Sequence, residues 1–202
     1  MKLTEGSLSV EVDYKPSPNQ YDRPQDTPEP RLIVLHTAEC KEVSWAAENL
    51  QKWVAGPSRP KYASWHFAVD NDSITQSVDL NKAAFHTSRY VNYYSIGIEQ
   101  AGSMYQSRAE WLDDYSRSVL ENTAQLVAVL CARYHIPVQF VEGPDLKMWF
   151  EAEDGAWGIS THREATLGFN VIGGHRDPGV NYPMDWLLER VDQILAEHGL
   201  KF

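Results

Sequence analysis

At 202 residues and 43% apolar content, the chain is long enough for one domain with a full core; seven Trp, ten Tyr and six Phe add bulky core and pocket material. A net charge of −10, with no Lys/Arg cluster, excludes a nucleic-acid binder, which needs a basic face. No apolar run approaches the ~18–20 residues that span a bilayer, and Met1 to Val12 lacks the apolar stretch of a signal peptide, so the expectation is a protein made in a cytoplasm with no membrane insertion.

Residues 1–30 hold five of the eleven prolines (16, 18, 24, 28 and 30) and little periodicity. They predict a Pro-rich arm, laid extended over the domain or partly loose, ahead of a single domain spanning 31–202. Leu32 to Leu35 is a continuous apolar run, the pattern of a strand buried on both faces. Apolar residues at 43, 46, 47, 50, 53 and 54 predict a helix stopped by Gly56-Pro57. Trp65 to Val69 alternates, and Ile74 to Val78 follows Asn71-Asp72-Ser73, which reads as a hairpin. Ser95 to Ala101 predicts a short strand with Ile96 and Ile98 on one face and Ser95, Gly97 and Glu99 on the other. Residues 111–134 carry the apolar stripe of a helix, with Pro137 just beyond its end. Residues 138–160 are rich in Trp and acid and show no regular element. A last helix opens at Pro183 and closes at Gly199. Cys40 and Cys131 are too few for a disulfide framework and read as reduced core residues. The mixture of strands and helices gives an α/β class with a central mixed sheet flanked by helices.

Seven histidines are the first candidates for chemistry: 36, 66, 86, 135, 162, 175 and 198. A catalytic zinc takes three protein ligands and leaves a fourth position open. His36 ends the most buried strand, where a polar group usually opens into a site. His175 and Asp177 are two apart in Gly173-Gly174-His175-Arg176-Asp177-Pro178-Gly179. In an extended chain they share a face, roughly 6.5–7 Å apart; a plain turn with solvated side chains fits the same residues. His162 follows Ser160-Thr161, so it either starts a capped helix with Glu164, presents a ligand, or does both. Glu99 shares its face only with Ser95 and Gly97, small neighbours that leave room for a ligand beside a carboxylate. His66 alternates with Trp65 and Phe67 and reads as structural; His86 is evenly balanced. His135 and His198 sit at helix C-termini, where a cation suits the dipole.

Taken in chain order, Leu32 to Ala38 (LIVLHTA), Trp65 to Val69 (WHFAV), His86, Ser95 to Gly102 (SIGIEQAG), Gly158 to His162 (GISTH) and Asp177-Pro178-Gly179 resemble the N-acetylmuramoyl-L-alanine amidases. That family includes phage amidase endolysins, bacterial muropeptide amidases and peptidoglycan recognition proteins. The matching stretches span nearly the whole chain. The resemblance implies zinc bound by His36, His162 and Asp177, with Glu99 as the catalytic acid–base. Where the family often has a Lys this chain has His175, implied to assist as a cation at the oxyanion, and a common Tyr is replaced by Trp65. Trp65 and His86 are implied to contact substrate, and Trp149 or Trp157 are further candidates for the groove. The His175-x-Asp177-Pro178-Gly179 ending is similar to the actinobacterial-phage branch. The implied partner is peptidoglycan, glycan strand and stem peptide, cut between N-acetylmuramic acid and L-alanine after release to the wall. A cytosolic enzyme of muropeptide recycling and a non-catalytic peptidoglycan-binding module are the alternatives.

Overall fold

The structure is a computed structural model, and it describes residues 1–25, 29–59, 61–152, 157–169 and 174–200. Pro28 of the N-terminal segment and Gly173 of the glycine pair lie outside the described residues. In chain order the elements are β1 (Lys2–Glu5), β2 (Leu8–Glu11), β3 (Asp13–Tyr14), β4 (Tyr21–Asp22), β5 (Leu32–Thr37), α1 (Ala46–Ala55), β6 (Phe67–Val69), β7 (Ile74–Gln76), β8 (Lys82–Ala83), α2 (Arg89–Tyr94), β9 (Ser95–Gln100), α3 (Arg108–Trp111), α4 (Asp114–Tyr134), α5 (Gly143–Ala152), β10 (Gly158–Thr161), α6 (His162–Phe169) and α7 (Met184–Glu197).

The main sheet has the order β10-β5-β9-β6-β7-β3. Its first four strands run parallel, β7 returns antiparallel to β6, and β3 lies parallel to β7. The sheet is therefore mixed, and helices flank it in a single α/β domain. Parallel strands buried on both faces need apolar residues at every position, and β5 has them: Leu32, Ile33, Val34 and Leu35 are all fully buried. Strand alternation divides them between two cores. Ile33 and Leu35 join Ile96, Ile98, α4 and α7 on one face. Leu32 and Val34 join Val91, Leu146, Trp157 and Ala165 on the other. His36 continues the second set by parity, and so do Ser95, Gly97 and Glu99 on β9.

Local signals explain most boundaries. The predicted 111–134 helix is two elements: Asp113 breaks the run and caps α4, its carboxylate accepting from the Ser116 N–H at 2.9 Å. The β6–β7 turn is held by Asp70, whose Oδ1 accepts from the N–H groups of Asp72 and Ser73. Cys131 is fully buried and Cys40 half-buried; both are free thiols. No helix among the described residues is long and apolar enough to cross a membrane.

Two sequence expectations need correcting. The first residues of the Pro-rich segment are folded into the domain. β1 and β2 form a hairpin, and Leu3, Leu8, Val10 and Val12 belong to the main core, packed against α4. β3 then lengthens the sheet beyond β7. The pattern is short and polar-flanked, so its alternation was hidden beside the prolines. Residues 138–160 also hold regular structure: α5 and β10, with a bridge from Phe140 to Ile159. α5 has only Gly143 and Leu146 buried, too few apolar contacts to show a helical stripe.

If the hairpin is part of the core, Leu8→Ala removes a buried side chain and leaves a void, and the domain should lose about 2–4 kcal/mol in urea unfolding. A loss under about 0.5 kcal/mol is the result expected of a loosely attached arm.

Candidate metal centre

Strand register builds the site. β5 and β9 pair with His36 level with Glu99. β10 pairs with β5 so that Thr161 lies level with Leu35, which sets His162, the next residue, level with His36. Three parallel strands thus deliver His162, His36 and Glu99 in one row at their carboxyl ends, where open α/β sheets place ligands. His162 is also the first residue of α6, and the Thr161 hydroxyl caps that helix by accepting from the Glu164 N–H at 3.2 Å. Asp177 comes from the loop after α6. Its carbonyl accepts from the Arg163 N–H at 3.0 Å, which ties the loop to the helix start. Two residues on, Gly179 has φ +96° and packs so tightly that a Cβ there would lie 2.2 Å from the Met104 carbonyl oxygen.

Three atoms able to serve as metal ligands converge. His36 Nδ1 lies 3.1 Å from His162 Nδ1 and 3.2 Å from Asp177 Oδ2, and His162 Nδ1 lies 3.3 Å from the same oxygen. A tetrahedral ion with ligands at ~2.0–2.1 Å would hold its ligand atoms roughly 3.3–3.4 Å apart. The triangle therefore has the size of one face of a zinc tetrahedron. The donor set also fits: two imidazole nitrogens and a carboxylate oxygen, with the His side chains almost fully buried and Asp177 13% exposed. Burial pushes the Asp177 carboxyl up, but its contacts with His162 and His36 outweigh this and hold it well below the usual range.

Glu99 stands beside this cluster without joining it. Its Oε2 is buried with no hydrogen-bond partner. Burial first, then the charges of Asp177 and Glu39, push its pKa up to about 8. The room expected beside it is already filled: the His86 ring packs flat against Gly97, where a Cβ would lie 2.6 Å from the ring. His86 Nδ1 lies 3.0 Å from His36 Nε2.

His175 and Asp177 are not neighbours on a strand, because residues 174–178 form loop and turn. His175 instead stacks on the His162 ring, centroids 3.9 Å apart and planes 16° from parallel. Its Nδ1 is 4.0 Å from Asp177 Oδ1, and its side chain is 48% exposed. Burial and the neighbouring His162 both lower its pKa, which disfavours the cationic form expected from the sequence.

The cluster lies in an open cleft of about 750 Å³. Glu39, Tyr62, Trp65, Met104 and Tyr105 line it, and all but Trp65 carried no motif signal. Glu39 is legible only in three dimensions: at φ 48° its carboxylate accepts from Thr37, Ser103 and Met104, joining two loops of the rim. Trp65 is nearly buried and stacks on Trp53, with centroids 5.9 Å apart. Trp157 is core, packed with Tyr94 and Phe150, and Trp149 joins the same cluster, so neither lines the cleft. His66 is fully buried: its Nδ1 accepts from the Gly97 N–H at 3.0 Å and its Nε2 donates to the Lys82 carbonyl at 3.1 Å. Burial, then Arg23, push its pKa down to about 3. His135 and His198 follow the ends of α4 and α7 and take no part in the cleft.

Residues 25–180 match the N-acetylmuramoyl-L-alanine amidase family. The chain belongs to that family. Solved structures share the amidase fold. An AmpD derivative has a TM-score of 0.62 at 23% identity, covering 95% of this chain and 99% of its own. The Staphylococcus aureus hydrolase AmiA, solved with its ligand, has 0.65 at 16% identity over 94% and 86%. A mutant endolysin from Bacillus subtilis has 0.58 at 19% identity over 90% and 99%. No curated protein sequence matches.

Glu99 gives the metal-free amidase a distinctive pH response. A raised carboxyl pKa means the folded state holds a proton that the unfolded state has released, so stability falls as pH climbs from the unfolded value of 4.5 to about 8. Buried histidines with lowered pKa values oppose this only below their unfolded value near 6.5. From pH 6.5 to 8 the wild type should therefore lose about 1–2 kcal/mol relative to Glu99→Gln. Calorimetry in excess chelator measures this; parallel stability curves would remove the strained carboxyl from the account.

Proposed function

We propose that this amidase is zinc-dependent and hydrolyses the amide between the lactyl group of N-acetylmuramic acid and L-alanine in peptidoglycan. One observation carries the reading: a zinc-sized triangle of His36, His162 and Asp177 adjoins a buried carboxylate with an unpartnered oxygen, at the floor of an open cleft. When bound there, zinc would acidify a water molecule and polarise the scissile carbonyl.

The remaining work belongs to the chain. Glu99, which lines the cleft, accepts the water proton on its carboxylate and passes it to the departing alanine nitrogen. Its raised pKa places it near the working pH for that shuttle. His175, neutral and half-exposed over His162, donates an N–H to the carbonyl oxygen as negative charge builds there. Trp65 forms a rigid wall of the cleft, and exposed Tyr62 and Tyr105 stand at its rim, where a polymer can extend beyond the reacting bond. That open form supports a role on intact walls, as a phage endolysin.

Chelation should abolish the release of N-terminal alanine from purified walls, and added zinc should restore it. Glu99→Gln should keep zinc and lose ~10²–10⁴-fold in rate. Turnover by a verified metal-free sample would overturn the zinc reading, and near-normal turnover by Glu99→Gln would overturn the proton shuttle. Side-by-side digestion tests the endolysin role. Intact sacculi should be cut at least as fast as soluble muropeptides, whereas a strong preference for the fragments identifies a recycling enzyme.

A further inference from the structure

We propose that His86 and Ser95 are positioning residues that lock His36 into the one tautomer able to serve as a metal ligand. The inference rests on the zinc reading only for its purpose; the proton arrangement stands on geometry alone. The Ser95 hydroxyl lies 2.8 Å from the Val91 carbonyl oxygen, which can only accept, so the single hydroxyl proton is committed there. Ser95 Oγ also lies 3.1 Å from His86 Nε2. With its proton spent, the hydroxyl accepts, and His86 must carry its proton on Nε2. A neutral imidazole then has a bare Nδ1. That bare nitrogen is 3.0 Å from His36 Nε2, which must donate to it. His36 Nδ1 is thereby left with its lone pair, and the proton that the Asp177 carboxylate accepts in the metal-free protein comes from His162 Nδ1, 3.3 Å from Asp177 Oδ2 and 3.1 Å from His36 Nδ1.

Each link is buried, so water does not relax the chain: Ser95 is fully buried, Gly97 is buried, His86 is 8% exposed and His36 2%. His86 is buried, and among the described residues its ring nitrogens meet the Ser95 hydroxyl and the His36 ring, neither of them a carboxylate that would hold a charged imidazole. Gly97 fixes its ring in place, because any Cβ there would sit 2.6–2.9 Å from the ring atoms. Both ring nitrogens of His86 are engaged within the protein, which leaves neither to hydrogen-bond a substrate in the cleft that His86 lines. The pair thus acts through His36, as partners that orient metal-bound imidazoles do.

The test reads the proton directly. In ¹⁵N-labelled, metal-free protein at pH 8, long-range ¹H–¹⁵N spectra should show His36 protonated at Nε2 and bare at Nδ1. Ser95→Ala should move His36 toward a tautomer mixture and weaken zinc binding about 10-fold or more, measured by competition with a chromophoric chelator. Gly97→Ala keeps the hydroxyl but displaces the His86 ring, and should weaken zinc binding similarly. A wild-type His36 protonated at Nδ1, or unchanged zinc affinity in both variants, would overturn the relay. A wild type with the stated tautomer but no zinc binding would instead sink the metal reading and leave the relay standing. If neither variant folds, the wild-type spectrum alone decides.

Discussion

Two imidazole nitrogens and a carboxylate oxygen held within 3.3 Å of one another repel unless a shared proton or a cation sits among them. The fold around them exists to hold that unfavourable meeting in place. The scaffold that does so is rigid: β5 and β9 are buried on both faces, and α4 is packed hard beneath them. Backbone hydrogen bonds between parallel strands set the row in which His36, His162 and Glu99 stand. Only Asp177 comes from a loop, and that loop is anchored by the Arg163 N–H and by the close approach of Gly179 to Met104.

The same dry surroundings divide the titrating groups into opposite roles. Asp177 has two imidazoles beside it and stays ionised, while Glu99 has none, feels the charge of Asp177, and is driven toward its neutral form. Two carboxyls in one cleft thereby acquire different chemistry from position alone, one suited to holding a cation and the other to exchanging a proton. The stacking of His175 on His162 belongs to this pattern, since a second cation above a ligand ring is disfavoured.

Strand parity links the core to the chemistry. On β9 the residues facing the main core are Ile96 and Ile98, and those facing the site are Ser95, Gly97 and Glu99. Ser95 and Gly97 are small for a definite reason: His86 occupies the volume a larger side chain would fill. A one-residue slip of this strand would turn Glu99 into the helical layer and two isoleucines into the cleft, so the register that buries the core also specifies the site.

Much of this was legible in the residues. The continuous apolar run before His36, the alternation around Glu99, the cap at Thr161 and the small residues at 95 and 97 are local patterns, and local patterns survive without knowledge of the fold. The resemblance to the amidases rested on such stretches in order. What the chain alone left open was which groups meet. His175 and Asp177 are two apart in sequence yet do not act as a pair, whereas His36 and His162 are 126 apart and touch. The N-terminal hairpin and α5 show no local pattern because their few apolar residues find their partners in distant segments, the hairpin against α4 and α5 against α6 and the sheet. The proton chain from Val91 to His36 was likewise invisible, since its direction depends on a carbonyl, a hydroxyl and two rings brought together from three segments. Periodicity and capping are written within a few residues of each other; ligand identity, tautomer and pKa are set by distances between segments, and those only the folded chain decides.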